Sequence, residues 1–186
     1  TVHGGGTRDS AGAGAFLAGG TLTNCVVTGN RSLGTSEAGV AGGVLAEGGT
    51  IDHCVISGNS APYYGGGVYG SPAMNNCILR DNEAQMGGAL GLSGGQINNC
   101  LFTENYASEQ ASAIFAFDDC SINHCTMVGN VYGKNDVGCV YVDDYTTVTF
   151  RNCIIYFNPG GTEIYQGTFI HCCARGLSGS GNITND

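Results

Sequence analysis

Tryptophan is absent from the 186 residues, proline occurs 3 times, and Lys134 is the single lysine beside five arginines. Only 11% of residues are charged, and the formal net charge is −9. That balance leaves no basic patch, which argues against nucleic acid and anionic membrane surfaces as partners. No apolar run reaches the ~20 residues that a membrane-spanning helix needs. The chain does not open on methionine and shows no signal peptide or sorting tail, so it reads as a mature product or an excised piece. No CxxC pair occurs, so the 10 cysteines give poor support to structural zinc.

Glycine is abundant, at 33 residues, but has no G-X-Y period, which excludes collagen. With 42% apolar residues the chain is not disordered, and its length suits one domain, 1–186. One motif returns along it: TLTNCVVTGN (21–30), TIDHCVISGN (50–59), AMNNCILRDN (73–82), QINNCLFTEN (96–105), SINHCTMVGN (121–130) and TFRNCIIYFN (149–158), with a partial copy, TFIHCC, at 168–173. The repeated cysteines are Cys25, Cys54, Cys77, Cys100, Cys125, Cys153 and Cys172. In the six full copies an asparagine follows five residues later: Asn30, Asn59, Asn82, Asn105, Asn130 and Asn158. Upstream runs a second block: GAFLA (14–18), GGVLA (42–46), GGVYG (66–70), GGALG (87–91), SAIFA (112–116) and GCVYV (138–142). Its second position is always small, read here as Ala15, Gly43, Gly67, Gly88, Ala113 and Cys139.

Apolar residues recur three before the cysteine (Leu22, Ile51, Met74, Ile97, Ile122, Phe150, Phe169) and two after it (Val27, Ile56, Leu79, Phe102, Met127, Ile155). The step of two is strand alternation, and the step of three implies a bend. The runs are short, β-branched and bounded by glycine, which argues against helices. A repeat this short cannot bury its own apolar face, so copies must stack ~4.8 Å apart. The expected fold is therefore all-β: a parallel β-solenoid of about six to seven coils, with internal cysteine and asparagine ladders. The asparagines are expected at a tight turn with left-handed backbone.

These residues resemble the right-handed parallel β-helix family, the pectate-lyase-like fold. Within it, GGV (42–44), GGV (66–68), GGA (87–89) and FTEN (102–105) resemble the short repeats of polymorphic outer-membrane proteins. The form GGTLxNCxxxGNxA is similar to bacterial surface proteins of the choice-of-anchor type, and 176–186 looks like the stretch where those proteins leave the regular coils. The resemblance implies an extracellular or cell-surface, secreted repeat protein. It leaves the function open, because one fold hosts many activities.

The cysteine column reads best as small buried residues. Seven is odd, and stacked neighbours on parallel strands lack comfortable disulfide geometry. Off the column lie Cys120, Cys139 and Cys173, among which at most one disulfide is expected. His53, His124 and His171 each precede a ladder cysteine where other copies carry Asn, so turn hydrogen bonding explains them better than catalysis. Asp118, Asp119, Asp143 and Asp144 fall on adjacent coils; oxygen-rich groups of this kind suit Ca²⁺, and the alternative is a solvated acidic edge. Tyr63, Tyr64, Tyr106 and Tyr132 each follow a repeat asparagine and are candidates to stack on glycans or touch a host or cell-surface protein. Arg80, Arg151 and Lys134 are the central basic residues, and they form no acid–base constellation with the acids. The open ends of a solenoid invite pairing with flanking domains or with copies of the chain, head to tail, as in a filament. The function expected is a non-enzymatic structural or adhesive module. The alternative is a carbohydrate-active domain, lyase or hydrolase, working at the acidic edge.

Overall fold

The computed structural model describes residues 1–7, 14–34, 40–133, 137–159, 162–177 and 181–184. Lys134 lies outside them, as does part of 176–186. Among the described residues there is no helix, and the strands form three long parallel sheets of seven, seven and eight strands. Each turn of the chain visits the sheets in the same order. A strand after the glycine block, such as Val68–Gly70, is followed by one before the cysteine, Ala73–Asn75, and one after it, Ile78–Arg80. We call them the glycine-block, pre-cysteine and post-cysteine sheets. A three-stranded sheet (Glu83–Met86, Tyr106–Gln110, Val131–Tyr132) covers part of the remaining corner.

Like residues lie over like residues. In the pre-cysteine sheet Leu22, Ile51, Met74, Ile97, Ile122, Phe150 and Phe169 form one column, and the rings of Phe150 and Phe169 stack at 4.5 Å. Val27, Ile56, Leu79, Phe102, Met127 and Ile155 form another in the post-cysteine sheet. All but Leu22 and Phe169 are fully buried. The ladder cysteines fill the corner between these columns. The backbone N–H of Cys54 donates to Cys77 Sγ at 3.4 Å, and each thiol from Cys25 onward reaches the carbonyl two residues earlier, as Cys77 does to Asn75 at 3.1 Å. All ten cysteines are free.

The asparagine ladder is continuous. Asn59 Nδ2 donates to Asn82 Oδ1 (3.0 Å), Asn82 Nδ2 to Asn105 Oδ1 (3.0 Å) and Asn105 Nδ2 to Asn130 Oδ1 (2.8 Å). Each Oδ1 also accepts the backbone N–H of the preceding asparagine. Each Nδ2 also reaches a carbonyl of the preceding coil, as from Asn82 to Ile56 at 2.9 Å. With both amide ends used, these side chains can be buried.

Two expectations are corrected. The left-handed backbone sits one residue before each ladder asparagine, at Gly29, Gly58, Asp81, Glu104, Gly129 and Phe157, with φ between 53° and 69°. The turn therefore aims the amide inward without straining its own backbone. The glycine blocks also pair differently. Val68 faces Leu90, and Ala15 faces Val44, so the small second position is Gly14 and Ala89 rather than Ala15 and Gly88. Gly87, with φ of 65°, belongs to the turn occupied by Gly65 one coil earlier. Reading it as the first residue of the block displaced that copy by one.

Candidate functional site

In the glycine-block sheet one residue of each strand stands on the outer face. Phe16, Leu45, Tyr69, Gly91, Phe115, Tyr141 and Tyr165 form this outer column. Phe115 and Tyr141 stack at 4.8 Å and 18°, Tyr141 and Tyr165 at 4.9 Å and 9°. Gly91 leaves a gap that the Tyr69 ring enters; a Cβ there would stand 2.7 Å from Tyr69 Cδ2. Phe117 packs on Phe115 at 4.5 Å, and Tyr64 meets Phe117 edge-on at 4.9 Å.

The four tyrosines named from sequence are not brought into one site. Tyr64 joins this aromatic cluster, with Tyr63 beside it at 6.5 Å. Tyr106 stands on another wall, in register with Glu83 and Val131, and its hydroxyl fills the space beside Gly133. Tyr132 is in register with Ala107. Sequence reasoning missed Tyr69, Phe115, Phe117, Tyr141 and Tyr165. Tyr69, Phe115 and Tyr141 hold the fourth position of GGVYG, SAIFA and GCVYV, which was the signal; Phe117 and Tyr165 lie outside these blocks. Because the stacked rings face one another, the middle of the column shows edges and hydroxyls to solvent rather than open faces for a sugar.

The acidic pairs flank this column at the next corner, and all four carboxylates are exposed. Asp118 Oδ1 accepts the N–H of Asp119, and Asp143 Oδ1 that of Asp144, both at 2.8 Å. Asp119 Oδ1 takes the N–H of Thr147 at 2.6 Å, and Asp144 Oδ1 takes Gln166 Nε2 at 2.7 Å. Residues 143–147 occupy the later corner where 117–119 occupy the earlier one, so the later corner is two residues longer. Among the described residues no three His, Cys, Asp or Glu side chains gather to hold a metal ion.

His53, His124 and His171 all have φ near 50°, at the corner where Asn24, Asn76, Asn99 and Asn152 do the same. Asn and His are among the residues enriched in left-handed backbone, which accounts for their exchange. The His53 ring, 2.8 Å from Asp52, holds that carboxyl below its usual range, helped by Asn76. Arg80 and Arg151 lie on different sheets. On the wall of Tyr106, a cavity of about 330 Å³ is lined by Arg31, Ser60, Pro62, Glu83, Gln85 and Ser108.

A family model described as the right handed beta helix region matches residues 7–155. The chain belongs to the right-handed β-helix family. No curated protein and no solved structure matches it. Membership fixes the hand of the coil, and the site must come from the side chains. One departure of this β-helix from strict repetition lies at the C-terminal side. Glu163, 5% exposed, offers Oε1 to the N–H of Asn158 at 3.2 Å, where another coil would present an asparagine. Asn182 Oδ1 likewise takes the N–H of Cys172 at 2.8 Å, in place of a thiol.

Burial also sets how this β-helix responds to alkali. It raises the thiols of Cys54 and Cys139, and it pushes Cys120 up to about 12 with help from Asp119 and Asp118. The phenols of Tyr69 and Tyr141 are raised for the same first reason. A group whose folded pKa is raised stabilises the fold below its unfolded pKa and loses that contribution as pH climbs toward the folded value. Melting temperature should therefore fall from about pH 9 upward, where free thiols and then phenols ionise in the unfolded chain. Thermal denaturation at pH 7 and above pH 10, under reducing conditions, measures it.

Proposed function

We propose that this β-helix is a non-enzymatic extracellular or cell-surface module that works as a rigid structural and adhesive element. The observation that carries the reading is the allocation of its polar groups. The buried asparagines hold the coils together, and the paired aspartates accept turn N–H groups. What remains on the outside is repetitive: stacked rings along one sheet and columns of like side chains along the others. Repetition of this kind makes a stiff element with extended lateral faces. Glu163 and Asn182 occupy ladder positions that an end-stacked neighbour would need. That favours contact through the sides over a head-to-tail filament.

The cavity beside Arg31 and Glu83 favours a second reading, carbohydrate recognition or cleavage, because it places a cation and a carboxylate around a polar recess. Two measurements separate the readings. Immobilised glycans and cell-surface proteins are screened for retention of the chain. Polyuronate and neutral polysaccharides are then incubated with it and assayed for unsaturated ends and for reducing ends. Retention without product is expected; steady release of either product would replace the adhesive reading with the enzymatic one.

A further inference from the structure

The wall that carries Tyr106 is interrupted at one coil. Gly6–Thr7 and Arg31–Ser32 pair on one side of the break, and Glu83–Met86, Tyr106–Gln110 and Val131–Tyr132 on the other. The coil between them contributes isolated bridges at Ser60 and Tyr64 instead of a strand. Pro62 falls between those bridges; it has no N–H and cannot carry the pairing through. The recess of about 330 Å³ opens at this break. Arg31, Ser60 and Glu83 are in register on successive coils, so they form one column. Ser60 is short, and the exposed Arg31 and Glu83 stand on either side of it, two strand spacings or ~9.6 Å apart. Among the described residues the ion pairs are His53–Asp52 and Arg80–Asp81, so Arg31 and Glu83 are paired neither with each other nor elsewhere.

We propose that this recess binds a small polar α-amino acid as its zwitterion, with the carboxylate on Arg31 and the ammonium on Glu83. In such a molecule the two charged groups are ~3 Å apart, and a charge-assisted hydrogen bond of ~2.8 Å at each end brings the span to ~8.6 Å. That span matches two coils and is too long for one. A purely anionic ligand would satisfy Arg31 and meet its like at Glu83, and a purely cationic one the reverse. A neutral sugar would cover both charges and neutralise neither. Ser60, Gln85 and Ser108 offer hydroxyls and an amide to a polar side chain, and no large apolar side chain lines the recess among the described residues. Its volume is at the low end for small-molecule sites, which keeps the ligand small. Both charges face solvent, so the dissociation constant should be on the order of 0.1–1 mM and should rise with salt.

The inference rests on neither the adhesive nor the carbohydrate reading, and it gives the recess a different occupant from the latter. Amide NMR titration of the full chain with L-serine tests it. Saturable shifts at Ser60, Gln85 and Ser108 are expected. N-acetyl-L-serine lacks the ammonium and L-serinamide lacks the carboxylate, so each should bind at least ~10-fold more weakly. Arg31→Gln and Glu83→Gln should each cost a similar factor, and circular dichroism confirms folding, since both side chains are exposed. Exchanging the two charges, Arg31→Glu with Glu83→Arg, should restore binding with the ligand reversed. Glucose and glucuronate are titrated alongside. No saturation by L-serine at about 10 mM, binding indifferent to either derivative or to Arg31→Gln, or saturation by a sugar alone would each overturn the proposal, and the last would return the recess to the carbohydrate reading.

Discussion

Asn82→Ala is expected to destabilise the β-helix by about 3–4 kcal/mol, a fall of roughly 10 °C in melting temperature. Asn82 Oδ1 accepts both the backbone N–H and the Nδ2 of Asn59, at 3.1 and 3.0 Å. Its own Nδ2 serves the Ile56 carbonyl and Asn105 Oδ1. Truncation leaves these groups buried with partners missing, in a cavity that is polar but closed. Each such group costs about 1–3 kcal/mol, partly recovered if water enters. Asn99→Gly is the matching control. Asn99 is exposed and left-handed, with φ of 53°, a backbone state that glycine adopts freely, so its loss should cost well under 1 kcal/mol. Urea denaturation of the two variants beside the parent chain distinguishes the ladder role from a generic effect of losing asparagine. Equal costs would mean that the stacked amides contribute nothing beyond their turn.

Gly42→Ala is the second large effect. A Cβ at Gly42 would lie 2.5 Å from the Gly66 carbonyl oxygen and 2.5 Å from both N and O of Ser60. All three are backbone atoms fixed by interstrand hydrogen bonds, so the clash is relieved only by parting two coils. Overpacking of this kind costs about 2–3 kcal/mol. The constraint is local to the coil. Ser112 occupies the same corner further along and bonds the Gly138 carbonyl at 3.1 Å, beside the longer outer strand Tyr106–Gln110. Ser112→Gly should therefore change stability by less than about 1 kcal/mol. Calorimetric melting of both variants reads the difference.

The ladders were legible because a solenoid converts sequence period directly into spatial contact. Cys54, Cys77 and Cys100 repeat at a fixed offset from Asn59, Asn82 and Asn105, and stacking follows from the repeat alone. The external surface was harder to read. Tyr64 and Tyr106 both follow repeat asparagines, Asn59 and Asn105, yet one packs on Phe117 and the other against Gly133. Corner loops differ in length from coil to coil, so following a repeat asparagine does not fix a place on the surface. Two displaced copies, at Gly14 and Gly87, interrupted the outer column in the sequence pattern. Alternation in a strand is two-fold, and a shift of one residue exchanges inside for outside.

The amino-acid sequence by itself determined the coil, the stacked interior and the identity of what stands in each column, because one short motif that cannot bury its own apolar face has to bury it against its copies. Only the tertiary structure decided which residues face outward together. The stacked rings from Phe115 to Tyr165 and the acceptors Glu163 and Asn182 at ladder positions depend on how irregular corners set the register. Corner lengths are not repeated, and hydrogen-bond pairing across the sheets, rather than local pattern, fixes where each chain segment resumes.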